Sequence, residues 1–211
     1  MKKITVSNID IDIHDMYPVG ISVSGGADSA VLLYILLKEM SQTVHVYTFL
    51  GEVKRHIAEP VVDQVVSRCI ELTGNSNLVH HKEYIDIVNP QWMHSTLKEK
   101  IKNKEVGIIY NGITKFPPDA VIKNFNEKLD HSLYEKRKDF QNRPLYFENN
   151  FFYRPFMNMN KKDIFELYSN LNLLKSLYPI TRSCENELSP TRHCGKCFWC
   201  EERLWGFGYL E

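Results

Sequence analysis

The sequence predicts an α/β protein, built on an open parallel sheet with helices on both faces and closed by a small C-terminal cysteine module. Three observations predict it. Short β-branched segments alternate with longer apolar-periodic ones, the order of a parallel sheet with helical crossovers. A Gly-Gly loop joins the first buried strand segment to an apolar helix segment. Four of the five cysteines lie in the last 28 residues.

The elements follow in order. Ile9, Ile11 and Ile13 alternate with Asp10 and Asp12, giving a half-buried strand. Residues 19–23 form a buried strand and residues 28–40 an apolar helix. A strand at 44–50 precedes a helix at 60–72, whose Val61, Val65, Cys69 and Leu72 share a face. A short strand lies within 78–88 and a helix spans 91–102. Residues 106–110 form a buried strand that ends in Asn111-Gly112. Residues 119–139 read as a polar, mostly helical stretch. A strand at 151–154 stops at Pro155. A helix then runs to about Ser169, with Asn160 as N-cap and Asp163 in the first turn. The division falls near Tyr178-Pro179, giving a nucleotide-binding part at 1–178 and a cysteine module at 179–211.

Bulk composition bounds the function. The 211 residues are 43% hydrophobic and 25% charged, and 26 basic residues balance 26 acidic ones. Neutral balance argues against a nucleic-acid partner. No apolar run reaches membrane-spanning length, and the N-terminus has no apolar signal core. The expectation is a cytoplasmic protein without a membrane partner. A homodimer is compatible with the sequence.

Ser24-Gly25-Gly26-Ala27-Asp28-Ser29 lies after a strand and at a helix N-terminus, where unpaired N–H groups and the helix dipole favour an anion. Gly25 and Gly26 let the backbone turn sharply and approach a phosphate. Ser24 and Ser29 add hydroxyls. Asp28 fits a phosphate site once Mg²⁺ bridges carboxylate and phosphates. The loop lacks the Gly-Lys-Ser/Thr of a Walker motif and the spaced glycines of a dinucleotide fingerprint.

Cys184, Cys194, Cys197 and Cys200 follow C-x9-C-x2-C-x2-C. Four thiolates so spaced suit one structural, tetrahedral Zn²⁺, with an iron–sulfur cluster and redox thiols as rival uses. His193 is read as a surface residue and Cys69 as a small core residue.

Ser-Gly-Gly-x-Asp-Ser resembles the signature of the PP-loop ATP pyrophosphatases. That resemblance implies a Rossmann-like PP-loop fold, ATP with Mg²⁺, and cleavage of ATP to AMP and pyrophosphate. Together with the four-cysteine module, the chain resembles the 7-cyano-7-deazaguanine synthases. Pro155-Phe156-Met157-Asn158-Met159-Asn160-Lys161-Lys162-Asp163-Ile164 resembles that family's Pro-Leu-Met-x-Leu-Thr-Lys-x-Glu-Ile. Thr181-Arg182-Ser183-Cys184 resembles its Thr-x-Ser/Thr-Cys. The run from Cys194 to Phe207 resembles its Cys-Gly-x-Cys-x-x-Cys-x-x-Arg-x-x-Gly-Phe/Trp. Gly51, Arg55 and His56 loosely resemble its Tyr-Gly-Gln-Arg-His. The implied reaction is adenylation of a small carboxylate, 7-carboxy-7-deazaguanine, followed by attack of free ammonia. Asp28 and Lys161 are the implied catalytic groups, and Arg55 joins the loop residues in nucleotide binding.

The middle departs from the family. Where an acidic residue and Asp-Cys-Arg are usual, this chain has Lys115 and Asp119-Ala120-Val121. Lys115 and Asp119 are therefore candidate acceptor contacts, and the acceptor pocket is altered. The alternatives are a PP-loop enzyme with another acceptor (another small carboxylate, a protein or an RNA base) and a non-catalytic zinc-stapled binding module.

Overall fold

The computed structural model describes residues 2–6, 9–14, 17–52, 55–85, 90–126, 145–184 and 192–211. Its centre is a six-stranded sheet. The strands are β3 (Val19–Ser22), β4 (Val44–Gly51), β5 (Leu78–Ile85), β6 (Ile108–Asn111), β7 (Tyr146–Phe147) and β8 (Phe152–Tyr153), in the order β5-β4-β3-β6-β8-β7. All neighbours are parallel except the edge pair β7–β8. From β3 the chain builds outward through β4 to β5, then returns to lay β6 on the other side of β3. That reversal opens a crevice at the carboxyl ends of β3 and β6, where open α/β sheets bind ligands.

Helix α1 (Ala27–Glu39) follows β3. Residues Ala30 to Leu37 are all buried, as expected of a helix apolar on every side. Helix α2 (Arg55–Thr73) packs on it and begins five residues before the predicted start. Pro60 marked the expected start, but Ile57 is buried on the same side as Val61, and that burial sustains the helix ahead of the proline. Helix α3 (Pro90–Lys102) and the short α4 (Asp119–Ile122) flank β6 in sequence. Of the helical stretch expected at 119–139, only α4 is seen, and residues 127–139 lie outside the described residues.

A hairpin of β1 (Lys2–Val6) and β2 (Ile9–Ile13) was only half anticipated. Its second strand matches the Ile/Asp alternation, whereas β1 carries no such pattern. Tyrosine hydroxyls tie the hairpin to the sheet: Tyr110 donates to the Asp12 carbonyl at 2.7 Å and Tyr146 to the Asp12 carboxylate at 2.7 Å.

Helix α5 (Lys161–Asn170) starts at Asn160 as predicted. The Asn160 side chain accepts from Lys162 and Asp163 N–H groups, and the Asp163 carboxylate accepts from the Asn160 N–H at 2.6 Å. A capping box of this kind defines the first helical residue, which here is Lys161. Helix α6 (Phe198–Phe207) closes the chain and packs on α5. No helix among the described residues is long and apolar enough to cross a membrane.

Candidate active site and metal centre

The Gly-Gly loop lies at the crevice. Gly25 has φ +81°, in the left-handed region, and a Cβ there would sit 2.9 Å from Val61 Cγ1. A side chain is thus excluded both by backbone strain and by contact with α2. Gly26 is the N-cap of α1, and no side chain caps that helix. The Gly26 N–H donates to Ser24 Oγ at 3.4 Å, while the first-turn N–H groups of α1 receive no side-chain cap among the described residues and are open to an anion. The loop is braced internally instead. Ser29 Oγ donates to the Gly26 carbonyl at 3.2 Å and accepts from the Ser24 N–H at 3.3 Å.

Three other segments enclose the loop. Gly112, just beyond β6, lies so near α1 that a Cβ would come within 3.0 Å of the Asp28 backbone. The Arg182 N–H donates to the Gly25 carbonyl at 2.9 Å, which lays the segment before Cys184 along the loop. Lys161, first residue of α5, donates through Nζ to Asp28 Oδ2. Thr114 Oγ1 also donates to Asp28 Oδ2, at 3.4 Å.

The two residues the sequence marks as catalytic, Asp28 and Lys161, are thus brought into direct contact across 133 positions. Asp28 Oδ1 is buried and has no hydrogen-bond partner among the described residues. An orphaned buried carboxylate oxygen beside a phosphate-binding loop suits a hard divalent cation, so the donor set fits Mg²⁺. Glu202 of α6 also meets Lys161: it is fully buried, with Oε2 3.5 Å from Lys161 Nζ. Sequence reading missed Glu202. A carboxylate two residues after Cys200 looks like an exposed helical charge until α6 is docked.

The weaker candidates sit on α2, on the loop after β6 and on α4. Arg55 is exposed at the start of α2, with its guanidinium 5.2 Å above the Tyr84 ring. Lys115 is half-buried, and its backbone N–H donates to the Met159 carbonyl at 2.8 Å, joining the post-β6 loop to the segment before α5. Asp119 is exposed in the first turn of α4. His56 is likewise exposed on α2.

The four cysteines converge. Their sulfurs lie within 4.8 Å of one another, with Cys194–Cys200 at 3.8 Å and Cys184–Cys197 at 3.9 Å. Four ligands about 2.3 Å from a tetrahedral zinc stand about 3.8 Å apart, so these edges fit that ion. Burial alone would raise the Cys194 thiol. Hydrogen bonds from the Lys196 and Cys197 backbones, and from neighbouring thiols, bring it down to about 7. Gly195, with φ +74°, makes the tight knuckle between Cys194 and Cys197.

His193 is not the surface residue expected. Its side chain is 3% exposed, and burial together with the Arg203 charge lowers its pKa to about 4. It stays outside the sulfur cluster. Cys69 is a core residue, pushed up to about 12 by burial.

Arg203 links the module to the rest of the chain. It is 1% exposed and donates to the Leu210 carbonyl, Thr181 Oγ1 and the Tyr178 carbonyl at 2.8, 2.9 and 3.1 Å. Its guanidinium also lies 3.9 Å from the Tyr178 ring centroid. The resulting clamp holds the 178–181 segment, which leads directly to the contact between Arg182 and Gly25.

A family model for Queuosine biosynthesis protein QueC matches residues 105–211. The chain belongs to this family. Membership makes it an ATP-using PP-loop protein of queuosine-type biosynthesis. The matched half contains Lys161, Glu202 and all four cysteines, and the structure brings its Lys161 and Arg182 onto the Gly-Gly loop of the other half. Among solved structures, NMN synthetase from Francisella tularensis is similar over 92% of this chain and 78% of that one, at 15% identity and a TM-score of 0.46. No curated protein matches the chain.

Proposed function

We propose that the protein is an ATP-dependent ligase that adenylates 7-carboxy-7-deazaguanine and directs ammonia to it, giving 7-cyano-7-deazaguanine. The observation that carries this reading is the Asp28–Lys161 contact at the mouth of an uncapped Gly-Gly loop. It sets one carboxylate and one ammonium beside the phosphate cradle of a family member.

In this reading, N–H groups of the α1 first turn and the Ser24 hydroxyl bind the β- and γ-phosphates. The acceptor carboxylate oxygen attacks the α-phosphorus, and pyrophosphate leaves with the electrons of the broken P–O bond. Charge grows on pyrophosphate as it departs, and preorganised donors stabilise that charge without reorganisation. Lys161 supplies a positive charge held beside Asp28. Asp28 Oδ1 would hold Mg²⁺, which neutralises phosphate charge when bound. Ammonia then adds to the acyl carbon and expels AMP, leaving an amide. A second adenylation, on the amide oxygen, ends in loss of AMP and the nitrile. The zinc expected on the four thiolates is structural, because four protein ligands leave it no open position.

Ala120-Val121 and Lys115 on the post-β6 loop favour a second reading, in which the same adenylation chemistry serves another acceptor. Incubation with Mg-ATP, ammonia and 7-carboxy-7-deazaguanine, followed by mass spectrometry, separates the two. Amide and nitrile products with AMP are expected. AMP formation that never depends on the deazaguanine would move the assignment to a different acceptor.

A further inference from the structure

Glu202 has no part in the chemistry just described, yet it is fully buried beside the site. It is carried by α6, two residues after the module's Cys200 and four before Gly206. The i, i+4 spacing puts Glu202 and Gly206 on one face of that helix. Both meet Lys161: Glu202 Oε2 lies 3.5 Å from Nζ, and a Cβ on Gly206 would fall 2.2 Å from Lys161 Cβ. The face of α6 thus receives the whole lysine, stem against the glycine and ammonium against the carboxylate. Lys161 is 6% exposed, so its charge has little water to lean on. It pairs with two carboxylates, Asp28 of the loop and Glu202 of the module.

We infer that Glu202 is a positioning residue: it shares the Lys161 ammonium with Asp28 and so leaves Asp28 able to take the divalent cation. An ammonium bonded to one oxygen of a carboxylate opposes a cation at the other oxygen, and the opposition is strong where water is excluded. With Glu202 present, part of that positive charge is balanced by a second carboxylate. Without it, that counter-charge is lost and the ammonium bonded to Asp28 opposes Mg²⁺ more strongly. Glu202 is held by the helix that starts at Cys197, so the sulfur cluster and the phosphate loop share one lysine. The inference rests on the nucleotide-binding reading of the loop.

The test is Mg²⁺ titration of the full-length, zinc-loaded protein at fixed α,β-methylene ATP, followed by calorimetry, which needs no acceptor. Glu202→Gln is expected to raise the half-saturating Mg²⁺ concentration roughly tenfold while keeping zinc content and unfolding midpoint. Glu202→Asp should fall between that variant and wild type. In a Lys161→Met background, Glu202→Gln should change nothing further, because the lysine through which it acts is gone. An unchanged Mg²⁺ midpoint in Glu202→Gln overturns the inference. So does an equal shift with Lys161 absent, which would mean a direct field effect. Loss of zinc in both Glu202→Gln and Glu202→Asp would make the residue part of the fold and also overturn it. If wild type binds no nucleotide with Mg²⁺, the nucleotide reading itself falls. If wild type binds and Glu202→Gln titrates identically, only the role of Glu202 falls.

Discussion

Gly206 of α6 lies against the first turn of α5 so closely that a methyl group on it would come within 2.2 Å of Lys161 Cβ and 2.9 Å of the Lys161 carbonyl carbon. Backbone, not a flexible side-chain tip, blocks that methyl. Gly206→Ala must therefore push the two helices apart. Overpacking of this sort costs about 1–3 kcal/mol, and the shift also carries Glu202 away from Lys161. Urea unfolding should show the loss, and pyrophosphate release should fall more than stability does. An alanine variant as stable and active as wild type would show that the helices are less closely docked.

Asp28 meets Lys161 and, in the proposed mechanism, Mg²⁺. Asp28→Asn keeps the shape and removes the charge, so the fold should survive. Turnover should drop by about 10²-fold or more, the scale of losing a preorganised electrostatic group. Chromatography of wild-type products should give AMP and pyrophosphate. ADP as the main nucleotide would contradict the pyrophosphatase chemistry.

The four converging sulfurs predict one zinc per chain. Cys197→Ser should lose the metal and loosen α6, which begins immediately after Cys197. Cys69→Ala should keep it, because Cys69 Sγ is buried near the Ala30 carbonyl, 3.6 Å away, and belongs to the core. Elemental analysis of both variants checks this. Iron with a visible charge-transfer band would replace zinc by a cluster.

Lys115 is half-buried, is anchored by its backbone to Met159, and directly follows Thr114, which bonds Asp28. If it meets the acceptor, Lys115→Ala should weaken acceptor binding roughly ten- to a hundredfold, the range of one charge-assisted hydrogen bond. Mg-ATP affinity should hardly move. Equal acceptor affinity in wild type and variant would leave Lys115 a solvated loop residue.

What the sequence by itself determined was local. Gly25 with its positive φ, the Asn160–Asp163 capping box and the Cys-x-x-Cys knuckles all act within a few residues, so each is legible as a short pattern. The strand–helix alternation is legible for the same reason, since periodicity reports which face of one element is buried. Only the tertiary structure decided the rest. Strand order placed β6 beside β3 and so brought Gly112 and Thr114 to Asp28. Docking of α6 on α5 turned Glu202 inward and put Arg203 under Tyr178 and Thr181. His193 is also buried, against the expectation of an exposed side chain. None of these has a local signature. A contact such as Lys161 with Asp28, 133 residues apart, depends on how whole elements close over one another, and a buried charge looks like an exposed one until its partner arrives from elsewhere in the chain.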